Sequence, residues 1–243
     1  MASGDALAVK ANLQAVFTAV MKCSSDQVAT HLSALVRRLQ AVARAEAKQQ
    51  QGRDLDVDAL ILRLHSQYPG DVGLFAPFLL NAFELQPGEA IFLGANEPHA
   101  YLDGDCVEAM ACSDNVVRAG LTPKLRDVDT LCSMLTYVAR YPDILTGSQV
   151  TEHTRRYAPP VDEFQVHRTA VPAAAKATPF ALEKLSGPSL ALVYEGECKV
   201  MTEAGVSMSL KKGNVVAIPG CQGLSCEAAP GGILLYRCAE NKL

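Results

Sequence analysis

Five side chains of different chemistry lie close together in the sequence between residues 87 and 124. In chain order they are His99, Tyr101, Glu108, Arg118 and Lys124. A neutral imidazole with a carboxylate nearby can bind zinc or a similar divalent ion. Arginine offers a planar fork that suits oxyanions or an enediolate, and lysine offers a point charge that suits phosphate. A purely structural turn does not need such a combination of groups.

The local sequence predicts a β-hairpin that would bring these groups together. Side chains alternate along a strand with a period of two residues, so His99 and Tyr101 are expected on the same face. Asp103 and Gly104 form a strong signal for a hairpin turn. The strand that follows this turn would return Glu108 toward the face that carries His99.

Three of these residues, His99, Arg118 and Lys124, also have a purely structural interpretation. On spacing alone, His99 is better explained as a hydrogen-bonded structural histidine, because one imidazole and one carboxylate do not complete a zinc shell. Arg118 and Lys124 could simply form surface ion pairs with Asp114 and Asp127. The spacing therefore leaves both interpretations open.

Length and composition limit the classes of protein that fit. The chain has 243 residues, 49% of them hydrophobic, which is enough to bury a core and predicts more than one domain. The net charge of −4 is small, and neither a dense basic stripe nor an RNA-binding aromatic motif is present. We therefore expect no nucleic-acid partner.

Neither export nor membrane insertion is predicted. The first residues lack the basic region and apolar run of a signal peptide. The most apolar window, from Val72 to Phe83, is too short to cross a bilayer. We expect a cytoplasmic location, no membrane partner, and reduced thiols at the eight cysteines, which include no CxxC pair.

The elements around the candidate site change in character along the chain. Residues 1–68 are predicted to be a helical unit, because apolar residues recur there at helical spacing. The residues Tyr68-Pro-Gly-Asp71 end this unit, and from Phe78 onward short β-rich runs alternate with Pro-Gly and Asp-Gly turns. Residues 139–165 have no sustained periodicity and are predicted to be a linker. Strand patterns resume over residues 166–243.

The segment PHAYLDGDCVEAMACSDNVVRAGLTPK, residues 98–124, closely resembles the type I phosphomannose isomerases. Members of this family are zinc enzymes that interconvert mannose 6-phosphate and fructose 6-phosphate. The resemblance implies an α+β fold in which a helical domain is followed by mainly-β, cupin-like jelly rolls, the first of them incomplete. Residues 69–138 would be the C-terminal part of the catalytic cupin domain, and residues 166–243 a second cupin-like domain without a metal site.

The resemblance also implies roles for the five residues. His99 would be a zinc ligand, and Tyr101 and Lys124 would bind the substrate. Glu108 would be a polar or acid-base group beside the sugar, and Arg118 would stabilise the reacting oxygens. The reaction would be an aldose-ketose isomerisation through a cis-enediol, with mannose 6-phosphate and fructose 6-phosphate as the partners.

Members of the family carry an N-terminal segment that supplies their other zinc ligands, which are a Gln-x-His pair and a glutamate. This chain is expected to lack that segment and so to bind zinc weakly, with low or no activity on its own. Gln165 and His167 repeat the Gln-x-His letters, but their place in the chain indicates coincidence. The alternative is a non-catalytic, degenerate cupin module that binds a sugar phosphate or a partner protein; a structural docking protein has the least support.

Overall fold

The computed structural model describes residues 3–45, 53–113 and 116–242. The chain divides into two units that alternate along the sequence, which we call the helical unit and the β unit. The helical unit comprises Met1–Gln86, Leu93–Leu102 and Ser113–Asp143. The β unit comprises Pro87–Phe92, Asp103–Cys112 and Ile144–Leu243.

Helices form most of the regular structure in the helical unit. Its described residues form four α-helices, α1 Ser3–Met21, α2 Ser25–Ala45, α3 Val57–Gln67 and α4 Val128–Met134, and a 3₁₀ helix over Val72–Phe78. Aspartates define several helix starts. The Asp56 carboxylate accepts hydrogen bonds from the backbone amides of Asp58 and Ala59, at 2.9 and 3.3 Å. Asp127 accepts in the same way from the amide of Thr130 at 3.0 Å, which satisfies donors that a helix leaves unpaired.

One apolar core joins these helices. The helical spacing of apolar residues is seen in α2, where Val28, Leu32, Val36 and Leu39 are buried, although Val42, which the pattern places on the same stripe, is 38% exposed. Burial of such a stripe is what holds short helices together. The core draws on all four α-helices and the 3₁₀ helix, and its buried members are Phe17, Met21, Val28, Leu32, Leu60, Leu64, Val72, Leu74, Leu131, Cys132, Leu135 and Tyr137.

The apolar run after α3 forms a 3₁₀ helix over Val72–Phe78 and a turn at Leu79 and Leu80, and irregular backbone follows. The sequence pattern predicts a strand from Leu79 to Leu85, and this prediction is wrong. The carbonyl of Ala76 accepts hydrogen bonds from the amides of Leu79 and Leu80, at 2.8 and 3.0 Å, and so continues the helical turns. In this segment only Phe83 forms a β-bridge, with Asp54. Packing of Leu79 against the helical core accounts for its apolar character.

The β unit contains all ten strands of the described chain. They are β1 Ala90–Ile91, β2 Ile144–Leu145, β3 Ser148–Thr151, β4 Thr154–Tyr157, β5 Gln165–Val171, β6 Thr178–Leu182, β7 Ser189–Thr202, β8 Ser207–Lys211, β9 Val215–Ile218 and β10 Leu224–Ala239. Residues 139–165, for which the sequence predicts a linker, thus contain β2, β3 and β4.

An antiparallel sheet of eight strands is built around β10. Its order is β3-β4-β5-β10-β7-β8, while β6 also pairs with β10 and β9 with β7. Leu235 in β10 is opposite Val193 in β7 and Thr169 in β5, and all three are fully buried. Strands β1 and β2 form a separate antiparallel pair. With a helical unit and a mainly antiparallel β unit, the α+β class is confirmed.

The sequence predicts two strands on either side of Gly196, but the structure has one long strand, β7. Gly196 lies within β7 at a φ of 77°, opposite Ile233 of β10 and next to a register shift in this pair of strands. Such an irregularity bends a strand without ending it. A turn-like residue pair can therefore mark a bulge as well as a hairpin.

Polar groups are buried inside the β unit around Arg237, whose side chain is 1% exposed. Its Nε donates to Ser189 Oγ at 2.8 Å and its Nη1 to the backbone carbonyl of Glu183 at 2.7 Å. The buried ring of His167 places Nε2 3.2 Å from Gln165 Oε1. Burial, followed by the charges of Arg237 and Arg156, lowers the pKa of His167 from 6.5 to about 4.

This shift predicts that the β unit loses stability in mild acid. In the unfolded chain His167 becomes protonated below pH 6.5, whereas in the folded chain it stays neutral until the pH falls to about 4. The stabilising contribution is therefore complete above pH 6.5 and is lost as the pH falls from 6.5 to 4, by about 3 kcal/mol. Urea unfolding at several pH values across this range measures the loss.

The matched variants for this measurement are His167→Gln and His153→Gln. We expect the His167→Gln variant to have a flatter dependence of unfolding free energy on pH than the wild-type chain between pH 6.5 and 4. His153→Gln, which removes a histidine outside the polar group around Arg237, is expected to keep the wild-type dependence. Equal dependence in the wild-type chain and the His167→Gln variant would contradict the assignment.

Candidate functional site

His99 presents one ring nitrogen in a form suited to a metal. Its Nδ1 lies 2.8 Å from the backbone carbonyl oxygen of Glu97. A carbonyl only accepts hydrogen bonds, so in the neutral ring Nδ1 carries the proton and Nε2 keeps its lone pair. Metal-binding histidines are commonly oriented by this kind of contact. The side chain is exposed.

The backbone that orients His99 is itself fixed by its neighbours. The Glu97 carboxylate accepts from the amide of Gly94 at 3.1 Å and forms an ion pair with Arg140 at 3.2 Å. The carbonyl of Asn96 accepts from the amide of Thr136 at 3.2 Å. These contacts hold the Glu97 carbonyl in place, and they give Glu97 a role that the sequence pattern did not indicate.

The structure brings His99 and Tyr101 together but forms no hairpin. Their ring centroids are 5.7 Å apart, with an angle of 54° between the planes. No strand is assigned in the described residues 99–113, so the predicted hairpin at Asp103 and Gly104 is wrong. The backbone carbonyl of Leu102 instead accepts a hydrogen bond from a side chain, Arg63 Nη2, at 3.2 Å.

Arg118 lies on a segment that packs against the core of the helical unit. Val117, Ala119 and Leu121 contact this core, which is the alternation expected of extended backbone. Arg118 falls between these positions and is half-buried, with the opposite side of the segment available to it. Packing of its neighbours therefore keeps this guanidinium at the surface of the unit.

Lys124 is exposed, and its backbone amide donates to Thr122 Oγ1 at 3.1 Å. Neither Arg118 nor Lys124 pairs with Asp127 in the part of the chain that the structure describes. The Asp127 carboxylate instead binds the amide and hydroxyl of Thr130 at the start of α4, and these hydrogen bonds lower its pKa. The other suggested partner, Asp114, lies outside the described residues.

The five candidate residues are divided between the two units. His99, Tyr101, Arg118 and Lys124 belong to the helical unit, and Glu108 belongs to the Asp103–Cys112 segment of the β unit. Glu108 is exposed. The candidate residues fall in different units because the chain alternates between the two units over residues 87–143.

His99 fits one position of a metal shell, but the described residues do not complete one. Within residues 3–45, 53–113 and 116–242, no three His, Cys, Asp or Glu side chains are grouped so that they could hold a metal ion. Gln165 and His167 are buried in the β unit, where they contact each other. The described residues therefore do not complete a zinc site around His99.

None of the described helices is both long and apolar enough to span a membrane.

Residues 2–80 match the family model described as the helical insertion domain of type I phosphomannose isomerase. Mannose-6-phosphate isomerase 1 of Arabidopsis thaliana is 41% identical over 96% of this chain and 51% of its own length. Mannose-6-phosphate isomerase of Homo sapiens is also 41% identical, over 97% of this chain and 56% of its own length. The chain thus spans about half the length of the curated relatives that it matches.

The fold gives the same result. A crystal structure of mannose 6-phosphate isomerase from Salmonella typhimurium, bound to fructose 6-phosphate and zinc, matches with a TM-score of 0.73 and 27% identity. The match covers 96% of this chain and 55% of that one. Sequence and fold together relate this chain, along nearly its whole length, to about half of a type I phosphomannose isomerase.

Proposed function

We propose that this chain forms part of an isomerase that interconverts mannose 6-phosphate and fructose 6-phosphate. The observation that carries the proposal is the 41% identity to the human isomerase over 97% of the chain. The five candidate residues suit such a reaction, because they combine an imidazole, a phenol, a carboxylate and two cations. The chain covers 56% of the human enzyme, so the activity is proposed for the site that these residues help to form.

In this proposal His99 binds zinc through Nε2. The hydrogen-bond distance of 2.8 Å to the Glu97 carbonyl supports this role, because it leaves Nε2 unprotonated. When bound, zinc would supply a Lewis acid that polarises the sugar oxygens. The remaining ligands would come from outside the described residues.

The other four residues bind the sugar phosphate and act on it. Lys124 is proposed to attract the phosphate, and Tyr101, beside His99, to line the sugar pocket. In the aldose-to-ketose direction a proton leaves C2, a cis-enediol forms, a proton enters C1, and a hydroxyl proton moves from O2 to O1. Arg118 would stabilise the negative charge that develops on these two oxygens. Glu108 is proposed as an acid-base group in these transfers.

Replacement of His99 tests the metal role. Bound zinc and isomerisation of mannose 6-phosphate would be measured for the chain alone and for the chain co-purified with the part of the human isomerase that it does not match. We call the second format the complemented assay. His99→Ala is expected to lose both zinc and turnover, because removing one ligand opens the coordination shell.

His31→Ala provides the control, since it removes an exposed histidine of the same unit outside the candidate site. It should retain wild-type zinc and turnover. If the wild-type chain binds fructose 6-phosphate but shows no turnover in the complemented assay with zinc present, the proposal of an enzyme is wrong and the chain is a non-catalytic binding module. Turnover by the chain alone, lost in His99→Ala, would exclude that module.

A further inference from the structure

Two backbone segments of the helical unit touch at a pair of glycines. A Cβ atom added to Gly73, in the 3₁₀ helix, would lie 2.7 Å from the backbone nitrogen of Leu121. A Cβ atom added to Gly120 would lie 2.6 Å from the Cα atom of Gly73. Contacts this short leave no room for a side chain at either position. The start of the 3₁₀ helix is therefore packed directly on the segment that runs from Arg118 to Lys124.

The side chain of Asp71 links the same two segments. Its Oδ1 accepts a hydrogen bond from the amide of Gly73 at 2.7 Å, which caps the 3₁₀ helix. The same oxygen accepts from the amide of Leu121 at 3.0 Å, across 50 residues of sequence. The Asp71 carboxylate is only 14% exposed. One mostly buried oxygen thus serves both as a helix cap and as a tether for the distant segment.

The tether acts at the centre of the segment that carries the two candidate cations. Leu121 is three residues after Arg118 and three before Lys124, and its φ of 54° is unusual for a residue with a side chain. Such a conformation persists when surrounding contacts hold it. The guanidinium of Arg126, just beyond Lys124, lies 4.0 Å from the same Asp71 oxygen. Asp71 therefore contacts the chain on both sides of Lys124.

We propose that Asp71 is a positioning residue that holds the Arg118–Lys124 segment in one conformation, so that both cations are placed for a sugar phosphate. The role in catalysis rests on the proposed function, whereas the tether can be tested without it. Asp71 acts through Leu121 and the backbone and does not itself touch the substrate. Its effect on the reaction comes from keeping Arg118 at a fixed position.

Three substitutions separate the tether from the helix cap. Asp71→Ser keeps an oxygen that can cap Gly73, but its shorter side chain does not reach Leu121. Asp71→Asn keeps an acceptor for both amides and removes only the charge. Asp56→Ser is the matched control, because Asp56 caps α3 in the same unit through the amides of Asp58 and Ala59. All three retain a residue favoured at a helix start.

Hydrogen exchange of the amides in residues 117–124 is the first readout. We expect Asp71→Ser to accelerate exchange at least about fivefold, and Asp56→Ser and Asp71→Asn to change it little. In the complemented assay, Asp71→Ser should lower kcat/KM roughly ten- to hundredfold with most of the loss in kcat, and Asp71→Asn should restore most of it.

Two results would overturn the proposal. Unchanged exchange in Asp71→Ser would show that no tether exists. Faster exchange with the same kcat/KM as Asp56→Ser would show that the tether has no part in catalysis. A wild-type chain that neither binds nor converts the sugar phosphate would instead refute the proposed function, and the exchange data would still decide whether Asp71 holds the segment.

Discussion

Substitution of Gly196 by alanine is expected to destabilise the β unit by about 3 kcal/mol or more. The added Cβ would lie 2.1 Å from the carbonyl oxygen of Gly232 and 3.0 Å from the Cα atom of Ile233. Neither is a flexible side-chain end, so relief requires β7 and β10 to separate. The left-handed φ of 77° adds a second cost. Urea unfolding monitored by circular dichroism measures the loss.

Gly205→Ala separates the two causes. Gly205 has a φ of 79°, close to that of Gly196, but no atom lies within 4 Å of its potential Cβ. Only the backbone conformation is then penalised, and we expect a loss of about 1 kcal/mol. If the two variants lose the same stability, the contact with Gly232 is not what requires glycine at position 196.

Substitution of Arg118 by alanine is expected to lower kcat about 10²- to 10³-fold in the complemented assay, with a smaller change in KM. In the proposed mechanism the guanidinium interacts with charge that exists on the sugar oxygens only during the reaction. Lysine keeps the charge but lacks the planar fork, so Arg118→Lys should recover only part of the lost rate.

Steady-state kinetics with mannose 6-phosphate at saturating zinc measures both parameters. Arg37→Ala is the control, because Arg37 is an exposed arginine of α2 whose Nε donates to the carbonyl of Ser33 in the same helix. It should keep the wild-type kcat. A rise in KM at unchanged kcat in Arg118→Ala would assign Arg118 to substrate binding instead of stabilisation of the enediolate.

The elements that could be predicted from the sequence are those whose pattern reflects burial over many residues. The stripe of α2 repeats the helical period over several turns, and the residues from Ile233 to Arg237 in β10 alternate in burial as a strand should. The segment from Leu79 to Leu85 and the Asp103-Gly104 turn were predicted wrongly. Both are short, and contacts with distant residues, such as Arg63 at the Leu102 carbonyl, determine their conformation.

At the candidate site, the sequence indicated the reactive groups better than the groups that hold them. His99 and Tyr101 were expected side by side and are so, although no strand is present. The supports at Glu97 and Asp71 act through backbone amides and carbonyls. Hydrogen bonds of this kind leave no periodic pattern, and some of the contacts, such as that of Asp71 with Leu121 and that of Glu97 with Arg140, join residues far apart in the sequence. The kind of reaction was inferred from the resemblance over residues 98–124, because the spacing of residues alone did not distinguish a metal-binding His99 from a structural one.

The alternation of the chain between the two units has a consequence for how the protein can be divided. The chain crosses from one unit to the other between residues 86 and 87, 92 and 93, 102 and 103, 112 and 113, and 143 and 144. No single proteolytic cut can therefore release either unit intact. A fragment ending after the 3₁₀ helix would lack α4 and the Arg118–Lys124 segment, both of which complete the helical core. We expect such a fragment to aggregate on expression, and limited digestion to give nicked chains that stay associated.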